Sequence, residues 1–345
     1  MTTTGMPGPR ASAPTIAQIA REVGVSAPTV SKVLNGRADV AETTRTKVED
    51  ALERAGYRRR RAAPPAAGTG LIDLVFHSFG SVWSLGIIRG VEQAAAAART
   101  SVILSELGGL HRPPQTWLDA TLLRPPVGVL LVASGLSGGQ RRQLVSRGIP
   151  FVVIDTDGEP PADVPVVGSD NWNGGLVAAR HLLQLGHRHI AAISGPADML
   201  CSRARIDGFR SAFEGSGVTF DPHLLRGGNF EVEAGYRAGR DLLDRADRPT
   251  AVFAGSDMQA LGVLRAARDL GIRVPEDLSV VGYDDLPLAQ WTTPALTTVR
   301  QPLEEMGSAA ARMLFELADQ QTPLTTRLNL GTDLVVRETT APPPR

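Results

Sequence analysis

From Leu71 onward, short apolar runs alternate with amphipathic stretches, and that alternation constrains the fold more than any other feature of this chain. The runs Leu71–Phe76, Val102–Ser105, Gly128–Val132, Phe151–Ile154, Ile190–Ser194, Ala251–Ala254 and Leu278–Tyr283 read as strands buried on both faces. Most are separated by segments of helical period: Ile87–Arg99, Gln140–Arg147, Gly175–Leu185, Ala234–Leu243 and Met258–Leu270. This order predicts an α/β fold with parallel sheets covered by helices on both faces. About 270 residues exceed what a single core fills comfortably, so two lobes are expected. Ligands in such folds sit at the carboxyl ends of the strands.

The first 61 residues have a different character. In Thr15–Leu34, the apolar positions Ile16, Ile19, Ala20 and Val23 fall on one face of a short helix. Gly24 ends it, because glycine accepts the left-handed backbone of a tight turn. Ser26 can cap a second helix, with Pro28 in its first turn, where no donor is missed. Val25, Val30 and Val33 then face the first helix, leaving Ala27, Thr29, Ser31 and Lys32 outward. This is a helix-turn-helix pattern, whose second helix suits a DNA major groove. An Asn35-Gly36 turn and a third helix over Thr43–Ala55 follow. Then come Tyr57, four arginines (Arg58–Arg61) and AAPPAAGTG, a linker by composition. The chain thus divides into a disordered leader (1–13), an all-α headpiece (14–61), a linker (62–70), a two-lobed body (71–338) and a disordered tail (339–345).

Charge supports a polyanion partner for the headpiece alone. Net charge is zero overall, yet residues 1–61 hold 11 Lys and Arg against six Asp and Glu. The body carries the compensating acidic surplus. A single cysteine, Cys201, excludes an intrachain disulfide and a cysteine-based metal cluster. No apolar h-region opens the sequence, and no run is long enough to span a membrane, so a cytoplasmic location is expected.

Several motifs in order resemble the lactose-repressor (LacI) family of bacterial transcription regulators. They are the helix-turn-helix with Leu34-Asn35-Gly36, IPFVVID at 149–155, LLQLGHRHIAAISGP at 182–196, RARIDGF at 203–209, VFAGSDMQALGVLRAARDLGIRVPEDLSVVGYDDLPLA at 252–289 and LTTVRQP at 296–302. The resemblance covers residues 14–338. It implies a DNA-reading headpiece joined to a core similar to type I periplasmic sugar-binding proteins. Two Rossmann-like lobes would bind an effector between them and change how a homodimer presents its headpieces to a palindromic operator. Only a short Thr- and Pro-rich segment follows the last expected strand, Asp333–Arg337, so a dimer rather than a tetramer is expected.

Within the second helix, the family matches make Ala27 and Pro28, with Lys32 one turn on, the base-reading positions. Lysine can bond guanine O6 and N7, whereas Ala27 and Pro28 offer apolar contact, as to a thymine methyl. Thr15, Ser26, Thr29, Ser31 and Asn35 match positions that hold phosphates and set register. Tyr57 and Arg58 complete the expected DNA-binding set. The linker departs from the family, since RRRRAAPPAAGTG has no leucine to wedge into a minor groove, and its two prolines oppose a hinge helix. The arginines are expected along phosphates or a narrow minor groove instead.

A sugar offers hydroxyls at its rim and apolar C–H faces, so its site needs carboxylates, arginine, amides and an aromatic platform. By family match these are Arg205, Asp284, Asp155 and Phe230; Trp83 and His77, in the loop after the first strand, and Gln301, in the crossover, are weaker candidates. Ser256 stands where many members carry asparagine, which implies an altered ligand preference. The expected effector is a mono- or disaccharide, of the xylose or β-glucoside kind. No cofactor and no metal are expected. Two alternatives compete: a transport-type sugar-binding protein, which has no use for residues 14–57, and a hydrolase built on Ser137 within Gly135-Leu136-Ser137-Gly138-Gly139. That pentapeptide reads as a loop. No phosphate-binding or dinucleotide fingerprint is present.

Overall fold

The computed structural model describes residues 15–34, 40–55, 57, 70–80, 82–156 and 158–344. The expected leader, Asn35, Arg58 and the rest of the arginine run, and linker residues 62–69 lie outside them.

The headpiece consists of α1 (Ile16–Val23), α2 (Ala27–Leu34) and α3 (Glu42–Arg54). Thr15 caps α1 in a reciprocal capping box with Gln18. Gly24 ends it at φ 73°, its N–H returned to the Ala20 carbonyl. Ile19, Ala20, Val30, Val33, Leu34, Val48, Ala51 and Leu52 form a small buried core.

The first lobe runs β1 (Leu71–Phe76), α4 (Trp83–Ala97), β2 (Ser101–Glu106), α5 (Gln115–Leu123), β3 (Gly128–Val132), α6 (Gly138–Ser146), β4 (Phe151–Ile154) and β5 (Val166–Ser169). The chain crosses to a second lobe of α7 (Asn171–Gln184), β6 (Ile190–Ile193), α8 (Leu200–Ser211), β7 (Leu225–Arg226), α9 (Val232–Leu243), β8 (Ala251–Ala254), α10 (Asp257–Asp269), β9 (Ser279–Asp284) and β10 (Thr297–Arg300). It returns as α11 (Leu303–Ala318) and β11 (Arg327–Leu330), then crosses a third time into β12 (Asp333–Val335). The first sheet, β11-β5-β4-β3-β1-β2, is parallel throughout. The second, β12-β10-β9-β8-β6-β7, is parallel except for its edge strand β12. Each sheet is packed on both faces, with separate apolar clusters on its two sides. The expected doubly covered, two-lobed α/β core is therefore observed.

In each lobe, neighbouring helices approach until backbone meets backbone. A Cβ on Gly90 of α4 would collide with the Glu304 carbonyl of α11, and one on Gly307 with the Ile87 carbonyl. Gly175 and Gly208 do the same for α7 and α8, and Gly235 and Gly262 for α9 and α10. Three helix pairs are thus built on reciprocal glycine contacts.

Two expectations need correction. Strands β5, β7, β10 and β11 were absent from the expected set, because each is short or carries Gly, Ser, Thr or Asn among its apolar residues. The tail from residue 339, expected to be disordered, is strapped along the second sheet. Val280 N–H donates to the Thr339 carbonyl at 2.8 Å, and Thr339 Oγ1 donates back to the Val280 carbonyl at 2.7 Å. The buried His187 ring holds the Ala341 carbonyl at 2.9 Å, and His181 meets Thr340 at 3.0 Å. Proline-rich chain cannot coil into a helix, but it can lie extended where buried polar groups need partners.

Candidate functional site

Two surfaces gather the chemically capable residues. The first is the outer face of α2. Ser26 Oγ accepts from Thr29 N–H at 3.2 Å, so the expected cap forms. Val30 and Val33 are buried, while Ala27, Pro28 and Lys32 are exposed and Thr29 and Ser31 half-buried. Thr15 Oγ1 is engaged in its own capping box, and Tyr57 packs against the headpiece core. A rigid helix therefore presents a methyl, a pyrrolidine ring, two hydroxyls and an ammonium on one side.

The second surface is the cleft where the carboxyl ends of both sheets meet. Arg205, projecting from α8, is only 4% exposed. Its Nε donates to Asn171 Oδ1 at 2.8 Å and its Nη1 to the Gly255 carbonyl at 2.6 Å. The guanidinium stacks 3.8 Å over the Tyr283 ring and lies 5.3 Å from the Phe230 ring. Asp284 Oδ1 is 3.6 Å from Nη1. Asp284 ends β9 and Asp155 follows β4, so the two lobes each supply a carboxylate. Both are buried and both have positive φ, 116° and 47°.

Burial dominates their titration. It pushes the Asp155 carboxyl up to about 6, with Arg205 pulling the other way. Burial also raises Asp284 to about 6, against the opposing pull of Arg205 and of the Gln301 hydrogen bond. Two desolvated carboxylates facing one guanidinium form a site short of positive and hydrogen-donating partners.

The other expected cleft residues divide by role. Gln301, in the second crossover, accepts from Ser169 Oγ at 2.6 Å and donates to Asp284 Oδ1 at 2.7 Å, orienting that carboxylate across the lobe junction. Ser256 donates to the Phe230 carbonyl at 2.8 Å and caps α10 through Gln259 N–H. Trp83 begins α4 and packs partly against the first-lobe core. His77 stacks on His111, ring centroids 4.2 Å apart and planes 6° from parallel, and His111 Nε2 reaches to 3.7 Å from Asp198 of the second lobe.

Three residues were not anticipated: Asn171, Tyr283 and His111. Asn171 follows the helix cap Asp170, and Tyr283 lies within an apolar strand, so both read as structural in the sequence. Asp285, beside Asp284, is held by Arg300 at 2.7 Å and Arg337 at 2.6 Å, so only the first of the aspartate pair meets Arg205. Ser137, the candidate nucleophile, caps α6 in a capping box with Gln140. His187 is tied to Thr250, Ser279 and the tail, and His189 to the Asp247 carbonyl. Among the described residues, no group of three or more His, Cys, Asp or Glu is arranged to hold a metal ion.

Comparison with known proteins bears on both surfaces. Residues 15–60 match the pattern of "Bacterial regulatory proteins, lacI family", and residues 179–340 that of a "Periplasmic binding protein-like domain". The chain is 37% identical to the HTH-type transcriptional regulator CelR of Thermobifida fusca over 334 residues, covering 94% of this chain and 98% of CelR. It belongs to the LacI family. A second LacI-family relative, the HTH-type transcriptional repressor PurR of Erwinia tasmaniensis, is 36% identical, with 88% of this chain and 89% of PurR covered. In three dimensions the chain superposes on a CelR–cellobiose complex with a TM-score of 0.72 at 36% identity, covering 94% and 99% of the two chains. The lac repressor dimer bound to operator and the anti-inducer ONPF gives a TM-score of 0.69 at 27% identity, covering 96% and 100%. The LacI-family headpiece therefore comes with a two-lobed core, and these relatives are transcription regulators.

Proposed function

We propose that this LacI-family regulator is a cytoplasmic repressor of carbohydrate-utilisation genes. It binds a palindromic operator as a homodimer and is released when a short β-linked glucose oligosaccharide, with cellobiose as the lead, occupies the interlobe cleft. The observation that carries this reading is Arg205, buried between Asn171, Asp284 and the Phe230 ring with Asp155 on the opposing lobe. Carboxylates and a guanidinium match sugar hydroxyls, and an aromatic face matches sugar C–H bonds. The similarity to the CelR–cellobiose complex supports the disaccharide. DNA contact falls to Ala27, Pro28 and Lys32 for base edges, and to Thr15, Ser26, Thr29, Ser31, Asn35, Tyr57 and Arg58 for the backbone.

Dimerisation is supported by the edge of the first lobe. Strand β2 ends that sheet with Ile103 and Leu104 each 46% exposed, and α4 exposes Leu85 beside it. A bare apolar edge strand favours a partner.

A thermal-shift panel of mono- and disaccharides on wild type and Arg205→Ala tests the proposal. Ligand at a hundred times its Kd stabilises the folded state by about 2.7 kcal/mol. Cellobiose is expected to raise the wild-type midpoint and leave that of Arg205→Ala unchanged. The active sugar should then release wild-type protein from its operator. Failure of every sugar on the panel would sink the carbohydrate assignment, and equal shifts in both proteins would remove Arg205 from the site.

A further inference from the structure

The cleft's aromatic ring is held by residues that do not face the cleft. Phe230 sits at φ 68°, a left-handed conformation that costs a non-glycine residue energy and persists only where neighbours enforce it. Two neighbours hold the residue, Ser256 at its carbonyl and Gly195 at its ring. Ser256 Oγ donates to the Phe230 carbonyl at 2.8 Å, while the same oxygen accepts from Gln259 N–H at 3.1 Å, so one hydroxyl joins the loop to the start of α10. The neighbouring Gly255 carbonyl accepts from Arg205 Nη1 at 2.6 Å. The Gly255-Ser256 turn thus grips both the guanidinium and the loop that carries the ring 5.3 Å away. Against the outer end of the ring lies Gly195, where a Cβ would overlap Cζ and both Cε carbons. With its hydroxyl committed in both directions and 3% of its surface exposed, Ser256 presents little to a ligand.

We propose that Ser256 and Gly195 are positioning residues that seat Phe230. Ser256 fixes the backbone behind the ring, and the bare backbone at Gly195 sets how deeply the ring lies against Arg205. Together they set the height of the aromatic wall, and so which sugar the cleft prefers. This rests on reading the cleft as a carbohydrate site. It differs from a direct role for Ser256, because the hydroxyl acts through Phe230 and not on the effector.

The test joins a spectroscopic readout of the ring to binding. Full-length protein is labelled with 4-fluorophenylalanine, and the residue 230 resonance is assigned with Phe230→Leu. In ligand-free protein, Ser256→Ala is expected to shift or broaden that resonance and Ser256→Thr to restore it. Gly195→Ala, which leaves the α10 cap intact, is expected to shift it independently. Cellobiose affinity should fall about five- to tenfold in Ser256→Ala through loss of the hydrogen bond that holds the Phe230 carbonyl, and recover in Ser256→Thr. Gly195→Ala should change the ratio of glucose to cellobiose affinity. An unmoved resonance in Ser256→Ala and Gly195→Ala overturns the proposal, as does weakened binding in Ser256→Ala with the ring undisturbed, which would make Ser256 a direct contact. If the resonance behaves as expected while wild type binds neither sugar, the seat stands and the carbohydrate reading falls.

Discussion

Asp155 and Asp284 hold two carboxylates around one guanidinium in a place almost without water. Both titrate near 6 when folded, against about 3.9 for an unperturbed aspartate, so the folded chain binds their protons more tightly than the unfolded chain. Acidification therefore favours folding through these groups, and that advantage is lost as pH rises through 6. Asp284→Asn removes one of the charges. Its melting point in the absence of ligand should match wild type near pH 4 and exceed it increasingly towards pH 7.5, while its cellobiose affinity falls at least tenfold. A stability difference that does not change with pH would show that burial of charge is not what strains the site. The structure brings together Arg205, Asp284, Asp155 and Phe230, and the sequence could offer them as candidates because each stands in a recognisable motif. The sequence could not reveal Asn171 or Tyr283, whose value lies in orienting Arg205 from 34 and 78 residues away in opposite directions along the chain. Ser256 illustrates the converse: its position is legible in the sequence, whereas the direction of its hydroxyl depends on a loop 26 residues earlier.

The helices show the same limit at larger scale. Their periodicity was readable, but the partnerships between them depend on glycines that look ordinary in the sequence. Gly175 of α7 admits the Arg205 carbonyl of α8, so the same contact that packs the helices also places the cleft arginine. Gly175→Ala is expected to cost about 1–3 kcal/mol through overpacking. It should lower the melting point by several degrees and weaken cellobiose binding, whereas an alanine at half-buried Gly158, where a Cβ meets nothing within 4 Å, should do neither. Equal behaviour of the two variants would refute close helix contact as the reason for glycine. The strands divide by composition. The interior strands β3, β4 and β8 were legible to the residue because they are continuous apolar runs. By contrast, β10 is half threonine, and β11, at the edge of its sheet, alternates polar with apolar residues. The tail escaped for a different reason: Pro and Thr carry no period, and its order comes from His181, His187 and Ser279 in distant elements.

For the whole molecule, recognition is divided between a small basic headpiece and a large acidic body, each readable by separate experiments. Lys32→Ala should relax base preference at one position in each operator half-site, by about 1–3 kcal/mol, and leave effector binding untouched. A uniform loss over all operator variants, with a shallower salt dependence, would place Lys32 on phosphate instead. The body answers through its lobes, which three separate passages of chain join: Ser169 to Asn171, Arg300 to Leu303 and Leu330 to Asp333. Gln301 and Ser169, hydrogen-bonded to each other, sit in two of them. One tether would let the lobes swivel and two would still permit torsion, but three side by side leave little beyond opening and closing about a single axis. In the proposed function, whatever occupies the cleft then reaches DNA as one coordinate, an angle.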